Sequence, residues 1–289
     1  MKPLLVLGLD GLDPYFVEAH SDELENLSDH SVLESTLPPI TVPAWASSFT
    51  GRKPEKLDRF DFQVVDFDSY EFRPEPHSAF FDREFWSYMD GKAAIADVPG
   101  ADVREIDGWN VAGLFDVSED SSKPPELMKE MEDDLGDIEI GPLSDYPTEK
   151  KRREAAFEFF GKRKKMLYWL MDNRDAEVYF TVFRLPDTMM HHCSNDEQLL
   201  DAYRKCDEMV GELKDRGINM IVLSDHGAVE ATRRFSVNTW LRENGFLETK
   251  SRKTTPRERL SAAFKSLALE AAEFAERFGF RDYLVWANE

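Results

Sequence analysis

Asp10 in LVLGLDGLD, Thr41 in PPITVPAW, Asp187 and His191 in LPDTMMHH, and Asp225 with His226 in VLSDHG are the residues of this chain with the most chemical potential. Together they offer carboxylates, imidazoles and one hydroxyl, the donor set that holds divalent cations and activates a nucleophile at neutral pH. Asp187 and His191 stand four residues apart, a spacing that puts both on one face of a helix. Asp225 and His226 are adjacent on a predicted turn, where both can swing toward one ion. Each residue also has a plainer reading: Asp10 can form a turn with Gly11, Thr41 can cap a helix, and Asp187 with His191 can be an exposed pair. The conjunction carries the argument, because all of them fall at strand ends or at a helix start. The chain has 6 histidines, and none follows His226.

These residues need a scaffold that brings strand ends together. Residues 3–9 read as a fully buried strand closed by Gly11-Leu12-Asp13-Pro14. A short helix is expected over 15–27, then an extended stretch over 31–37. Thr41-Val42-Pro43 starts a helix that runs over 44–49 and stops at Thr50-Gly51. A helix ending at 86–89 precedes strands over 93–98 and, more weakly, 109–115. Residues 118–150 are acidic and Pro-rich, a surface excursion with one short helix over 125–135. A long helix over 150–172 directs Phe157, Phe160, Leu167 and Leu170 to the core. A strand over 178–183 delivers Asp187, a helix follows over 197–216, and a strand over 219–223 delivers Asp225 and His226. The tail over 257–278 carries a helical stripe from Leu260 to Phe278 and belongs to a C-terminal helical segment at about 256–289. Alternating strands and helices predict an α/β fold with a largely parallel central sheet, which places ligands at the carboxyl ends of its strands.

Composition narrows the function. The chain has 289 residues and 42% hydrophobic content, enough for a sizeable core. Asp and Glu total 57 against 36 Lys and Arg, giving a formal charge of −21. That field repels nucleic-acid polymers, yet leaves room for a small phosphate ester held locally by metal ions. The acidic surplus also fits a halophilic, high-salt cytoplasm, where screening tames self-repulsion. No apolar run is long enough to cross a membrane, and the N-terminus lacks a secretory signal, so a cytoplasmic protein is expected. Cys193 and Cys206 are the only cysteines and read as structural. The basic run from Lys150 to Lys165 reads as a solvated helix face opposing the acidic stretch, with an anionic substrate tail as the competing reading.

The segment PPITVPAWASSFTGRKP, with LGLDGLD before it and SDHG and VNTWLRENGFL after it, resembles the type I phosphodiesterase/nucleotide pyrophosphatase branch of the alkaline phosphatase superfamily. The motifs stand in family order from about residue 4 to 249, and FDREFWSYMDGKAAIADVPG fits the helix and strand between them. The resemblance implies a single alkaline-phosphatase-like domain over 1–289, a three-layer α/β/α sandwich, with two divalent metal ions, usually Zn, with Mn as the other option. It implies a metal-dependent phosphoesterase, a phosphodiesterase or nucleotide pyrophosphatase, acting on a small phosphate ester through a covalent phospho-threonine. By motif match Thr41 is the nucleophile, and Asp10, Asp225 and His226 hold the ion that also binds the Thr41 oxygen. Asp187 and His191 hold the second ion, with a third histidine from a later segment. The chain offers no such histidine after His226, so a shortened member, a substitute such as His192, His77 or a carboxylate, or a catalytically impaired metal- or phosphate-ester-binding subunit are the three readings. A sulfatase would need Cys or Ser where Thr41 stands.

Overall fold

The strand LLVLGL, β1 (Leu4–Leu9), pairs in parallel on both edges, which is why it is apolar along its whole length. On one side lies β7 (Val178–Phe183), in register from Leu4 opposite Val178 to Leu9 opposite Phe183. On the other lies β8 (Asn219–Leu223), from Leu4 opposite Asn219 to Gly8 opposite Leu223. The computed structural model describes residues 2–66, 68–69, 71–74, 83–113, 120–193, 195–229 and 233–248.

Beyond β7 the sheet continues through β4 (Ala93–Ala96) and β5 (Gly108–Val111), both parallel, to β6 (Ser122–Lys123), which pairs antiparallel with β5. The order across the six strands is β6-β5-β4-β7-β1-β8. Strand alternation splits the core in two. Leu5, Leu7, Leu9, Ala94, Ala96, Tyr179 and Phe183 enter one layer. There they meet α4 (Glu126–Leu135), α5 (Glu149–Asn173), α6 (Leu185–His192) and α7 (Asp196–Asp215) through side chains such as Met131, Leu167, Met189 and Met209. Val6, Ala93, Ile95, Phe180 and Val182 enter the other, against Trp45 and Phe49 of α2 (Thr41–Thr50), Leu57 of α3 (Pro54–Leu57) and Trp86. Fully burying side chains of this size stabilises by about 1.5–3 kcal/mol each. The result is the three-layer α/β/α sandwich with a mostly parallel sheet that the sequence predicted.

Several local expectations are corrected. The first helix is only α1 (Pro14–Ala19), not 15–27. The buried Asp207 carboxylate accepts the N–H groups of Asn26 and Leu27 at 2.7 and 3.0 Å, so a tertiary partner replaces the helical bonds. Residues 31–37 form no strand; the loop is tied down by Ser35 Oγ donating to the Asp225 carbonyl at 2.5 Å. Thr41 is the first helical residue rather than the cap; Ile40 takes the cap position without a side-chain bond. The helix expected before Met89 is one short 3₁₀ turn, Phe85–Tyr88. Strand β4 ends early because Asp97 turns the chain with φ +53°. A hairpin of β2 (Gln63–Asp66) and β3 (Glu71–Pro74) was not anticipated. Of the α5 residues expected in the core, Phe160, Leu167 and Leu170 are buried and Phe157 packs against them half-buried.

The chain divides into two compact units, residues 1–145 with 152–228, and residues 146–151 with 229–289. The first holds the sheet and every sequence-predicted site residue. The second includes α8 (Val237–Glu243), where Trp240 packs between Phe235 and Phe246 at ring distances of 6.2 and 6.0 Å. The expected helical tail at 256–289 lies outside the described residues. Among the described residues no helix is long and apolar enough to cross a membrane.

Candidate metal centre

Asp10 directly follows β1, and its backbone is clamped on both sides. Its N–H donates to the Phe183 carbonyl at 2.9 Å, and its carbonyl accepts from the Asp187 N–H at 3.1 Å. Gly11 follows with φ +71°, a conformation that suits glycine. A methyl group there would lie 2.8 Å from the Asp187 Cβ, so glycine also lets α6 approach β1. The Gly11 N–H donates to Asp225 Oδ1 at 3.2 Å, and the Leu12 N–H to Ser224 Oγ at 2.9 Å. These bonds hold the turn after β8 against the turn after β1.

His226 is oriented from behind. Its Nδ1 lies 3.0 Å from the Gly227 carbonyl, which places the proton on Nδ1 and leaves the Nε2 lone pair facing inward. Nε2 stands 3.6 Å from Asp10 Oδ1, 3.3 Å from Asp225 Oδ2 and 3.4 Å from Thr41 Oγ1. Ligand atoms of Asp10, Asp225 and His226 all lie within 4.8 Å of one another. Asp10 is completely buried, Asp225 and Thr41 nearly so.

Two oxygens decide what this cluster suits. Asp10 Oδ1 and Asp225 Oδ2 are buried and accept no hydrogen bond. Their other oxygens are occupied, Asp10 Oδ2 by the Trp45 indole N–H at 3.1 Å and Asp225 Oδ1 by Gly11. Burial, then the charges of Asp225 and Asp187, push the Asp10 carboxyl well above the usual carboxylate range. Burial pushes Asp225 up to about 7. A divalent cation supplies the missing counter-charge, and two carboxylate oxygens with one imidazole nitrogen are ligands of the right kind and number. The residues present therefore fit a metal ion.

Asp187 and His191 lie on the first two turns of α6, with Nε2 3.5 Å from Oδ1. The hydrogen bond that the His191 ring donates to Asp187 raises the His191 pKa. Asp187 abuts the first cluster through its bond to Asp10, but His191 remains 73% exposed at its side chain. Among the described residues the pair gains no third ligand, and His192, at the end of α6, joins no such cluster. His77 lies outside the described residues. The basic stretch of α5 is engaged elsewhere: Lys162 with Asp137, Arg163 with Asp97 at 2.8 Å, and Lys164 with Glu212.

Sequence reasoning missed Trp45, Ser35 and Ser224. Trp45 had one readable signal, its position four residues after Thr41 on the same helix face.

The sequence profile of the type I phosphodiesterase/nucleotide pyrophosphatase family matches residues 4–278. The chain belongs to that family. Two solved structures of phosphonoacetate hydrolase from Sinorhizobium meliloti 1021 share its fold. The complex with phosphonoformate is 15% identical, covering 84% of this chain and 62% of its own, with a TM-score of 0.55. The complex with phosphonoacetate is 15% identical, covering 88% and 65%, with a TM-score of 0.57. This family member thus spans less than two thirds of the length of either. No curated protein sequence matches it.

Proposed function

We propose that this protein is a metal-dependent phosphoesterase, a phosphodiesterase or nucleotide pyrophosphatase, that uses Thr41 as its nucleophile. The observation that carries the reading is the convergence of Asp10, Asp225 and His226 within 4.8 Å, with the Thr41 hydroxyl 3.4 Å from the same imidazole nitrogen. Asp10, Asp225, His226 and Thr41 would hold one ion, and Asp187 with His191 a second, Zn or Mn in each case. Bound there, such ions lower the pKa of a hydroxyl and offset charge on phosphoryl oxygens.

The chain's own residues do the rest. Helix α2 carries Thr41 in its first turn, where the N–H groups of Thr41 and Val42 have no intrahelical acceptor and are the donors a phosphate oxygen would use; Pro43 has none to offer. The Thr41 Oγ1–phosphorus bond forms as the bond from phosphorus to the departing oxygen breaks in line. Water then cleaves the phospho-threonine and restores the hydroxyl.

The test is release of p-nitrophenol from bis-p-nitrophenyl phosphate with added Zn²⁺ or Mn²⁺, beside Thr41→Ala. Turnover in the wild type alone supports the reading; equal rates remove Thr41 from it. One observation favours a second reading, a metal- or phosphate-ester-binding subunit without turnover: His191 is exposed and, among the described residues, it and Asp187 gain no third ligand. One tight metal per chain with no ester hydrolysed would select it.

A further inference from the structure

Backbone contacts fix the main chain of Asp10, but they leave its carboxylate free to rotate. Oδ1 is the oxygen nearest the His226 nitrogen, at 3.6 Å. Oδ2 is the one that Trp45 holds. Its indole is fully buried, and its N–H meets Asp10 Oδ2 at 3.1 Å. We infer that Trp45 is a positioning residue for metal binding: its N–H holds Oδ2, so that Oδ1 alone is turned toward the cluster of Asp225 and His226.

Three features of the fold serve this contact. A side chain at Gly8 would lie 2.5 Å from the Trp45 ring and 2.8 Å from Val182, so β1 leaves that space for the indole. Phe180 packs on the ring at 6.2 Å, setting its tilt. Trp45 stands four residues after Thr41 on α2, so one rigid helix carries both the proposed nucleophile and the donor that orients the buried carboxylate. Shifting α2 moves both together. A polar partner that orients a metal-binding side chain is commonly worth about 10–100-fold in metal affinity.

The inference rests on the metal-site reading, and the experiment separates the two. Zinc affinity is measured by competition against a chelator for the wild type, Trp45→Phe and Asp225→Asn. Phenylalanine keeps an aromatic ring at position 45 and removes the N–H. The expected result is tight zinc in the wild type and affinity about 10–100-fold weaker in Trp45→Phe. Its zinc-induced rise in melting temperature should shrink as well; a purely structural role would lower metal-free and zinc-loaded melting equally. Affinity within twofold of the wild type overturns the role of Trp45 and leaves the metal site standing. Zinc uptake identical in the wild type and Asp225→Asn overturns the metal site and this inference with it. If Trp45→Phe does not fold, 3-benzothienylalanine placed at position 45 keeps the bicyclic shape with sulfur in place of N–H. The same weakening confirms the inference there, and undiminished affinity overturns it.

Discussion

Thr41 Oγ1 lies 3.4 Å from His226 Nε2 although 185 residues separate them. The contact exists because β1 carries α2 on one face while β8 runs beside it, so the two turns meet at one rim of the sheet. Thr41→Ala should therefore abolish ester hydrolysis by several orders of magnitude, as removing a nucleophile does, while zinc affinity changes by about tenfold or less. Thr41→Ser should retain measurable turnover. Steady-state kinetics and chelator competition on the same preparations check both statements; Thr41→Ala with wild-type turnover would refute the first.

Strands β7 and β8 run over the predicted residues because continuous apolar runs bounded by turn residues leave little choice of boundary. The four-residue spacing of Asp187 and His191 was equally legible, since α6 realises it directly. The end of α1 was not, because Asp207, nearly two hundred residues later, supplies the partner that breaks the helix. The role of Trp45 was not legible for the same reason: its partner Asp10 is distant in sequence, and helix periodicity shows only that it shares a face with Thr41. Local pattern fixes elements, whereas a hydrogen bond between elements has no local signature.

Burial holds the proton on Asp225 up to about pH 7, against about 3.9 for a free aspartate. In the metal-free protein the folded state therefore binds more protons than the unfolded state between those values. That contribution is fully present below about pH 4 and is lost as pH rises through about 7. Asp225→Asn removes the titration, so in a chelator it should melt above the wild type at pH 8 and close to it at pH 4. Added zinc should raise the wild type at pH 8 and leave Asp225→Asn nearly unmoved. A pH-independent gap between the two proteins would contradict the account.

Arg163 and Asp97 form a buried pair, with only 13% and 5% of their side chains exposed. Arg163→Leu removes the guanidinium that faces the buried Asp97 carboxylate and should lower stability, by up to about 3–5 kcal/mol. Lys162→Gln and Lys164→Gln, whose acidic partners are more exposed, should alter stability little. None of these variants that folds should change KM for the phosphodiester, since all three side chains are engaged with acidic partners. Urea denaturation and kinetics test this; a raised KM in the lysine variants would reinstate the basic stretch as a substrate contact.

A net charge of −21 makes self-repulsion a standing load on the folded state. Raising KCl from about 0.1 M to 1 M shortens the screening length from about 10 to 3 Å. The melting temperature should rise with it, by roughly 2–4 °C for each kcal/mol of repulsion removed. A flat curve would speak against salt adaptation.

The central claim is most directly tested by crystals soaked in zinc and recorded at the zinc absorption edge. An anomalous peak bounded by Asp10 Oδ1, Asp225 Oδ2, His226 Nε2 and Thr41 Oγ1 is the predicted result. Zinc density found only elsewhere, with those four atoms left unliganded, would contradict it.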